Sequence, residues 1–235
     1  MILFTTVNPT FTNPYVSISS SWGSNGRTVE VGTTGPTLSS FSYTFNKGSI
    51  VITYPDGTKD TSQGGRAGNE TSHSYSPSSF PTTLPWGTST YRITVNYAQG
   101  PQPKDSKGNN YSTPLPAGSV SSNYTVKAGY YYYAGLGNLD QASMKKTIIV
   151  SDTTYAENTF DAEGTDRWVW WLPAKKTATK MEFFDTGSNT YKDDDLANNW
   201  NIETTQINGV SYNKITNKNS TKRGSIKLKL TFTNA

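Results

Sequence analysis

Cysteine is absent from the 235-residue chain, and histidine occurs once, at His73. The missing thiols exclude disulfides, thiol nucleophiles and cysteine-ligated zinc. The single histidine excludes clusters of histidine ligands, and a Ser-His-Asp triad would have to pass through His73, which no nucleophile-elbow motif surrounds. We therefore expect a satisfied strand residue at His73, and any catalytic site would have to rest on carboxylates.

Long apolar runs and a strong net charge are also missing. Hydrophobic residues make up 33% of the chain and the formal net charge is +4, with a pI near 9.0. No segment approaches the roughly 20 apolar residues of a membrane-spanning helix, and the first residues lack the basic and apolar regions of a secretory signal. No basic run is interleaved with aromatics as in proteins that bind single-stranded nucleic acid. We therefore expect neither membrane insertion nor a nucleic-acid partner.

What the chain does contain is alternation of apolar and polar residues with a period of two. Phe41, Tyr43 and Phe45 fall on one side of such a run, and the segment 225–233 alternates throughout. The turn signals Pro55-Asp-Gly57 and Asn208-Gly209 lie between alternating runs, and Asn-Gly favours a two-residue hairpin turn. These patterns predict an all-β chain of short antiparallel strands.

The spacing of strands and turns predicts two tandem antiparallel β-sandwich domains. Short strands separated by Gly, Pro and Asn turns are typical of this architecture. We place an N-terminal arm at residues 1–26, a first sandwich at 27–126 and a second at 127–235, with the boundary near 126–130. The arm is assigned because residues 1–26 contain three Asn or Pro breaks and no sustained periodicity.

Three of the six tryptophans lie within four positions, in Trp168-Val-Trp-Trp171. Successive side chains of a strand point to opposite faces, so Trp168 and Trp170 share one face and Trp171 lies on the other. We predict that Trp168 and Trp170 belong to the core. Trp171 then packs against another domain or subunit, stacks on a sugar ring, or is buried in the ordinary way.

Further binding candidates are the aromatics of the long polar loops. Residues 60–90 and 98–118 are rich in the Tyr, Asn, Ser and Gly found in adaptable recognition surfaces. We predict ligand contacts in these loops before any on a strand, with four candidate residues in all: Trp171, Tyr75, Trp86 and Tyr111. The run Tyr130–Tyr133 places two tyrosines on each face of a strand, which a junction between domains or subunits would accept.

Charged clusters admit other interpretations. Asp185 and Asp193–Asp195 offer the oxygen ligands that calcium prefers but lack the spacing of an EF-hand, so a solvated loop is favoured. A glycosidase needs two carboxylates facing one cleft, and the spacing does not pair the candidates Glu157, Asp161, Glu163, Asp166 and Glu182. The lysines near the end of the chain, including Lys227 and Lys229, are interpreted as protection of a terminal edge strand.

Several stretches resemble appendage proteins of tailed bacteriophages, especially those of Bacteroidetes hosts, including crAss-like phages. The stretches are Val29–Gly48, Gly129–Gly135, Arg167–Pro173, and Asn208–Tyr212 with Lys227–Phe232. The resemblance touches most of residues 27–235. It implies immunoglobulin-like β-domains, often in trimers, and a place on the virion, where neither a signal peptide nor cysteine is needed. These motifs carry no functional residue.

The residues and the resemblance together predict a non-enzymatic virion protein of a tail or head fibre. We expect it to attach to other virion proteins or to bind a host-surface polysaccharide, as a homo-oligomer and by resemblance a trimer, with no cofactor and no bound metal. Two alternatives stay open. One is a secreted or cell-surface carbohydrate-binding module, and the other is a glycan-degrading enzyme that uses a carboxylate pair.

Overall fold

The computed structural model describes residues 13–36, 41–45, 48–60, 65–66, 73–74, 83–105, 107–110, 112–137, 139–160, 167–218 and 225–235. Within these residues the regular structure is nearly all β, which confirms the predicted all-β class. The strands, in chain order, are β1 (Val16–Ser20), β2 (Arg27–Glu30), β3 (Phe41–Phe45), β4 (Gly48–Thr53), β5 (Lys59–Asp60), β6 (Gly65–Arg66), β7 (His73–Ser74), β8 (Gly87–Tyr97), β9 (Gly118–Leu136), β10 (Lys145–Ile149), β11 (Tyr155–Phe160), β12 (Trp168–Pro173), β13 (Lys176–Asp185), β14 (Thr190–Asp193), β15 (Trp200–Ile207), β16 (Val210–Asn217) and β17 (Ile226–Asn234).

The chain divides into two compact units. Unit 1 comprises residues 1–27, 33–84 and 88–127, and unit 2 comprises residues 28–32, 85–87 and 128–235. The main division falls between Lys127 and Ala128, within the single strand β9. The immunoglobulin-like topology and the number of domains stay predictions.

Unit 1 contains two groups of antiparallel strands. One is the three-stranded sheet β1-β3-β7, and in the other β4 pairs with β5, β6 and β8. Three rings meet in its core, because Phe41 lies 5.1 Å from both Tyr91 and Tyr124, measured between ring centroids. The Pro55-Asp-Gly57 turn joins β4 to β5 as predicted, with Gly57 at φ 85°.

The predicted N-terminal arm contains a strand. Within residues 13–26, β1 pairs antiparallel with β3, from Val16 opposite Phe45 to Ser20 opposite Phe41. The short alternation of Val16 and Ile18 with serines permits this pairing, but the flanking Asn and Pro residues hide so brief a pattern. Residues 1–12 lie outside the described part of the chain.

Unit 2 is built from two antiparallel sheets. The wide sheet runs in the order β15-β16-β12-β9, with residues 128–136 of β9 belonging to this unit, and β10 and β2 also pair with β9. The narrow sheet runs in the order β11-β17-β13-β14. The hairpin between β15 and β16 turns at Asn208 and Gly209, at φ 50° and 78°, as the Asn-Gly signal predicts.

The inner faces of the two sheets share one hydrophobic core. Trp168 and Trp170 are 3% and 1% exposed, which confirms that both are core residues. The other buried members of this core are Tyr132, Ala134, Ile149, Ala156, Phe160, Leu172, Met181, Trp200, Ile215, Leu228, Leu230 and Phe232.

The interpretation of the terminal lysines as edge protection is wrong. β17 lies between β11 and β13, so the last strand of the chain is internal to the narrow sheet. Lys227 and Lys229 instead face Glu157 and Glu182 across the neighbouring strands, at 2.9 Å and 3.9 Å. A strand's position in the chain does not determine its position in a sheet, so the last strand of the chain need not be an edge strand.

Helix is confined to two short segments of unit 2 within the described residues, a 3-10 helix at Gln141–Ser143 and α1 at Leu196–Asn199. Asp140 and Asp195 cap them by accepting hydrogen bonds from Ser143 N and Asn198 N. In the part of the chain that the structure describes, no helix is long and apolar enough to cross a membrane.

Candidate functional site

Aromatic side chains line the outer face of the wide sheet. We call Tyr131, Tyr133, Trp171 and Tyr212 the aromatic face; they come from the three adjacent strands β9, β12 and β16. The first three are half-buried, whereas Tyr212 is only 4% exposed and supports the others from below. Trp171 lies opposite Tyr133 on one side and opposite Lys214 on the other. Because Trp168 and Trp170 occupy the inner face of the same strand, alternation directs Trp171 outward.

The rings of the aromatic face hold one another in place. Tyr133 lies 6.3 Å from Tyr131 and 5.9 Å from Tyr212, measured between centroids. The Tyr212 hydroxyl donates a hydrogen bond to the Tyr131 carbonyl at 3.0 Å, which ties β16 to β9. Packed rings with fixed rotamers form a preorganised surface, so little conformational entropy is lost when a ligand binds.

Charged groups border this face. The Lys214 amine lies 5.4 Å from the centre of the Trp171 ring, and the Lys146 amine lies 5.0 Å from the centre of the Tyr131 ring. Burial raises the pKa of the Tyr133 and Tyr212 hydroxyls, and the charge of Glu30 raises both further. The phenols are therefore neutral at pH 7 and can both donate and accept hydrogen bonds.

Trp171 is half-buried rather than enclosed. Its indole Nε1 is shielded from solvent and has no hydrogen-bond partner among the described residues, a property it shares with Trp168 and Trp170. The structure thus places Trp171 on an outer face of unit 2, with part of its ring open. Whether it contacts a sugar, a second domain or a second subunit stays a prediction.

The second described candidate, Trp86, lies elsewhere. It is half-buried and stacks on Tyr130, with ring centroids 5.4 Å apart and planes inclined by 24°. Tyr130 pairs with the core residue Ile149 and alternates with Tyr131, so it belongs to the inner side of the wide sheet. The two described candidates are therefore on opposite sides of that sheet. A groove of about 320 Å³ adjoins Tyr130, between the turn at 173–175 and the hairpin at 209–211.

Tyr75, Tyr111 and most of the predicted binding loop 60–90 lie outside the described residues. The loop at 98–118 is braced by its own side chains. Gln102 donates to the Ser112 carbonyl at 2.6 Å, and Asp105 accepts from the backbone amides of Lys107 and Asn109, each at 2.8 Å. These bonds, led by that from Asn109, lower the pKa of the Asp105 carboxyl. The side chains of Gln102 and Asp105 thus hydrogen-bond to other residues of the same loop.

Three of the acidic residues considered for calcium, Asp185, Asp194 and Asp195, have partners within the protein. Asp194 accepts a hydrogen bond from the Trp200 indole at 3.1 Å, and Asp195 caps α1. Asp185 forms an ion pair with Lys192 and accepts from Gly187 N. No group of three or more His, Asp or Glu side chains able to hold a metal occurs among the described residues.

The described carboxylates of the glycosidase hypothesis lie on the outer face of the narrow sheet. Glu157 and Glu182 flank Lys229, one on each neighbouring strand, so their strands are about 10 Å apart. The hydrogen bond from Lys227 lowers the pKa of Glu157, which is opposite to the raised pKa of a general acid. The other three candidates, Asp161, Glu163 and Asp166, lie outside the described residues.

Sequence reasoning missed three members of the aromatic face as binding candidates, namely Tyr131, Tyr133 and Tyr212. Alternation indicates which face a side chain takes within its own strand, but not which strands become neighbours. Tyr131 and Tyr212 lie 81 positions apart, and their contact depends on β9, β12 and β16 assembling side by side.

No protein-family model, no curated protein and no solved structure matches this chain.

Proposed function

We propose that this chain is a non-catalytic adhesion module of a tailed-phage appendage, and that its aromatic face binds a polysaccharide of the host surface. The observation that carries the proposal is the packing of the half-buried Tyr131, Tyr133 and Trp171 on one face of the wide sheet, supported by the buried ring of Tyr212, with ring contacts of about 6 Å between neighbouring tyrosines. A binding role for this face also explains why Trp171, which strand alternation keeps out of the core, is a tryptophan.

Carbohydrate is the ligand that best fits these side chains. The C–H face of a pyranose ring is apolar and packs on an aromatic ring, while its hydroxyls need donors and acceptors at the edge of the contact. Tyrosine and tryptophan combine an apolar body with a polar tip. Lys146, Lys214 and Glu30 supply charged groups at the border of the face, where they can bond hydroxyls or acidic substituents.

The shape of the site favours binding without cleavage. No described carboxylate pair faces the rings across a cleft, whereas glycosidases enclose the scissile bond between two carboxylates. The two described carboxylates of that hypothesis lie on the other sheet and are engaged by lysines. A surface of stacked rings holds a polymer chain without needing to distort it.

The setting on a phage particle rests on the resemblance of the stretches quoted above, and an all-β architecture is compatible with it. In this setting the protein is a structural component of the virion, in contact with other virion proteins and assembled as a homo-oligomer. The alternative of a secreted or cell-surface carbohydrate-binding module would use the same aromatic face.

Binding is tested by titrating the purified protein with a panel of capsular polysaccharides, followed by calorimetry. For a polysaccharide that binds, Trp171→Ala should weaken affinity at least tenfold, because hot-spot aromatics contribute about 2 kcal/mol or more. The matched control is Tyr155→Ala, which removes a 52% exposed ring from the narrow sheet and should leave affinity unchanged.

Two results would contradict the proposal. An equal loss of affinity in both variants, or an unchanged affinity in Trp171→Ala, would show that the ligand does not bind at the aromatic face. New reducing ends released by the protein, and lost on a carboxylate-to-amide change, would establish the enzyme alternative instead.

A further inference from the structure

Lys176 is a lysine enclosed in the interior of unit 2. It begins β13 directly opposite Asn234 of β17, and only 1% of its surface is exposed. Lysine is almost never fully buried unless its amine is engaged. An enclosed lysine at the end of a hydrophobic core therefore requires a specific explanation.

Three oxygens surround the Lys176 amine at equal distances. Nζ lies 2.7 Å from the Ser151 carbonyl, 2.7 Å from the Thr153 carbonyl and 2.7 Å from Asn234 Oδ1. A charged amine fills all three positions with N–H donors. A neutral amine has two N–H groups and one lone pair, so the two backbone carbonyls can hold it with the lone pair directed at the Asn234 amide.

The surroundings of the amine act on its charge in opposite directions, since aromatic rings attract a cation and burial disfavours one. The rings of Trp86 and Phe232 lie 5.7 Å and 5.6 Å from Nζ. Burial lowers the pKa of the Lys176 amine, and the charge of Asp152 opposes this only in part. A carbonyl bond is about 1.2 Å long, so Asn234 Cγ lies within about 4 Å of Nζ. That separation approaches the 3 to 3.5 Å of a near-attack geometry.

We propose that Lys176 and Asn234 form an intramolecular isopeptide bond. Nζ attacks Asn234 Cγ, the Nζ–Cγ bond forms, the Cγ–Nδ2 bond breaks, and Nδ2 leaves as ammonia with a proton taken from Nζ. The proton passes from Nζ to the departing Nδ2, so the step needs no further residue to balance. No oxidant or cofactor is needed, because the exchange of one amide for another is redox-neutral. Asn234 is itself exposed at the end of β17, which gives ammonia a route to solvent.

The bond would connect β13 to β17 at the place where β17 ends. It would join positions 58 residues apart and close a loop that contains β14, β15 and β16. A chain without cysteine has no disulfide with which to make such a covalent link.

The test is the intact mass of the purified wild-type protein under denaturing conditions. The bond lowers the mass of the 25.7 kDa chain by about 17 Da, the mass of ammonia. Proteolysis should then yield one branched peptide that joins the segments containing Lys176 and Asn234. Lys176→Arg and Asn234→Ala, which remove the nucleophile and the acceptor, should show the full mass.

Two outcomes would overturn the proposal. The full mass in the folded wild-type protein would show that no amide bond joins Lys176 to Asn234 and that the three oxygens only hold the amine by hydrogen bonds. A loss of about 17 Da without the branched peptide would place the reaction elsewhere, for example in a succinimide at Asn208-Gly209, where the flexible Asn-Gly bond favours ring closure.

Discussion

The two outer faces of unit 2 follow the same strand alternation but carry different chemistry. On the narrow sheet, the exposed ring of Tyr155 lies 5.1 Å from the Lys229 amine, and the half-buried ring of Tyr191 lies 5.4 Å from the Lys227 amine. Those lysines are in turn paired with Glu182 and Glu157. The lysines of the narrow sheet thus contact its own rings and carboxylates.

On the wide sheet, the rings of the aromatic face contact mainly one another. Lys146 and Lys214 lie near its rings, and neither has a carboxylate within salt-bridge distance among the described residues. Aromatic side chains dominate binding energy where they are clustered and rigid, whereas exposed ion pairs contribute little. The comparison favours the wide sheet over the narrow one as the surface for the proposed adhesion.

The largest expected effect is a loss of stability on the inner side of β12, which we compare with a substitution on its outer side. Trp170→Ala should lower the free energy of unfolding by about 3 to 5 kcal/mol, because it leaves a cavity beside Phe160 and Tyr132. Trp171→Ala should cost less than about 2 kcal/mol, because the ring is only half-buried. Urea unfolding of both variants measures the difference. Equal losses would show that Trp171 is a structural residue of unit 2.

A smaller effect is expected at the turn that positions β16, the strand that carries Tyr212 and Lys214. Gly209 has φ 78°, and a Cβ there would meet nothing within 4 Å, so the cost of substitution is one of backbone conformation alone. Gly209→Ala should destabilise unit 2 by about 1 to 2 kcal/mol. Gly209→Asn is the matched control, because asparagine tolerates positive φ. If both variants unfold at the same urea concentration, the turn does not limit the stability of the wide sheet.

The smallest expected effect is a pH-dependent loss of stability at the ion pair of Asp185 and Lys192 on the narrow sheet. The hydrogen bond from Lys192, assisted by Ser188, lowers the pKa of Asp185 to about 2. Because the folded pKa lies below the unfolded value of 3.8, this carboxylate stabilises the fold above about pH 4 and loses its contribution as the pH falls towards 2. Asp185→Asn should therefore flatten the dependence of the unfolding midpoint on pH between 4 and 2. Polysaccharide binding at pH 7 should not change.

A pH dependence that is identical in wild type and variant would show that the ion pair contributes nothing. Weaker binding in Asp185→Asn would instead bring the narrow sheet into the binding site.

Strand alternation and turn signals were sufficient to predict those features of unit 2 that depend on residues close together in the sequence. Alternation within β12 predicts that Trp168 and Trp170 are buried, and both are. The Asn208-Gly209 pair predicts the hairpin of β15 and β16, because a two-residue turn of this kind requires positive φ at both positions.

The order of strands in each sheet was beyond such rules, because it depends on pairings between distant segments. β17 was expected at an edge and lies inside the narrow sheet, where both neighbouring strands present glutamates to its lysines. The predicted boundary near 126–130 and the division between Lys127 and Ala128 both fall within β9, which runs without a break from 118 to 136. The aromatic face depends on the same long-range order and so could not be read from any one strand.

The central claim is that the wide sheet, and not the narrow one, carries the ligand. Hydroxyl-radical footprinting of the wild-type protein, with and without a polysaccharide that binds, compares the two faces in one experiment. The account predicts protection of Tyr131, Tyr133 and Trp171, with Tyr155 and Tyr191 oxidised equally in both samples. Protection of Tyr155 and Tyr191, with the aromatic face unchanged, would contradict it.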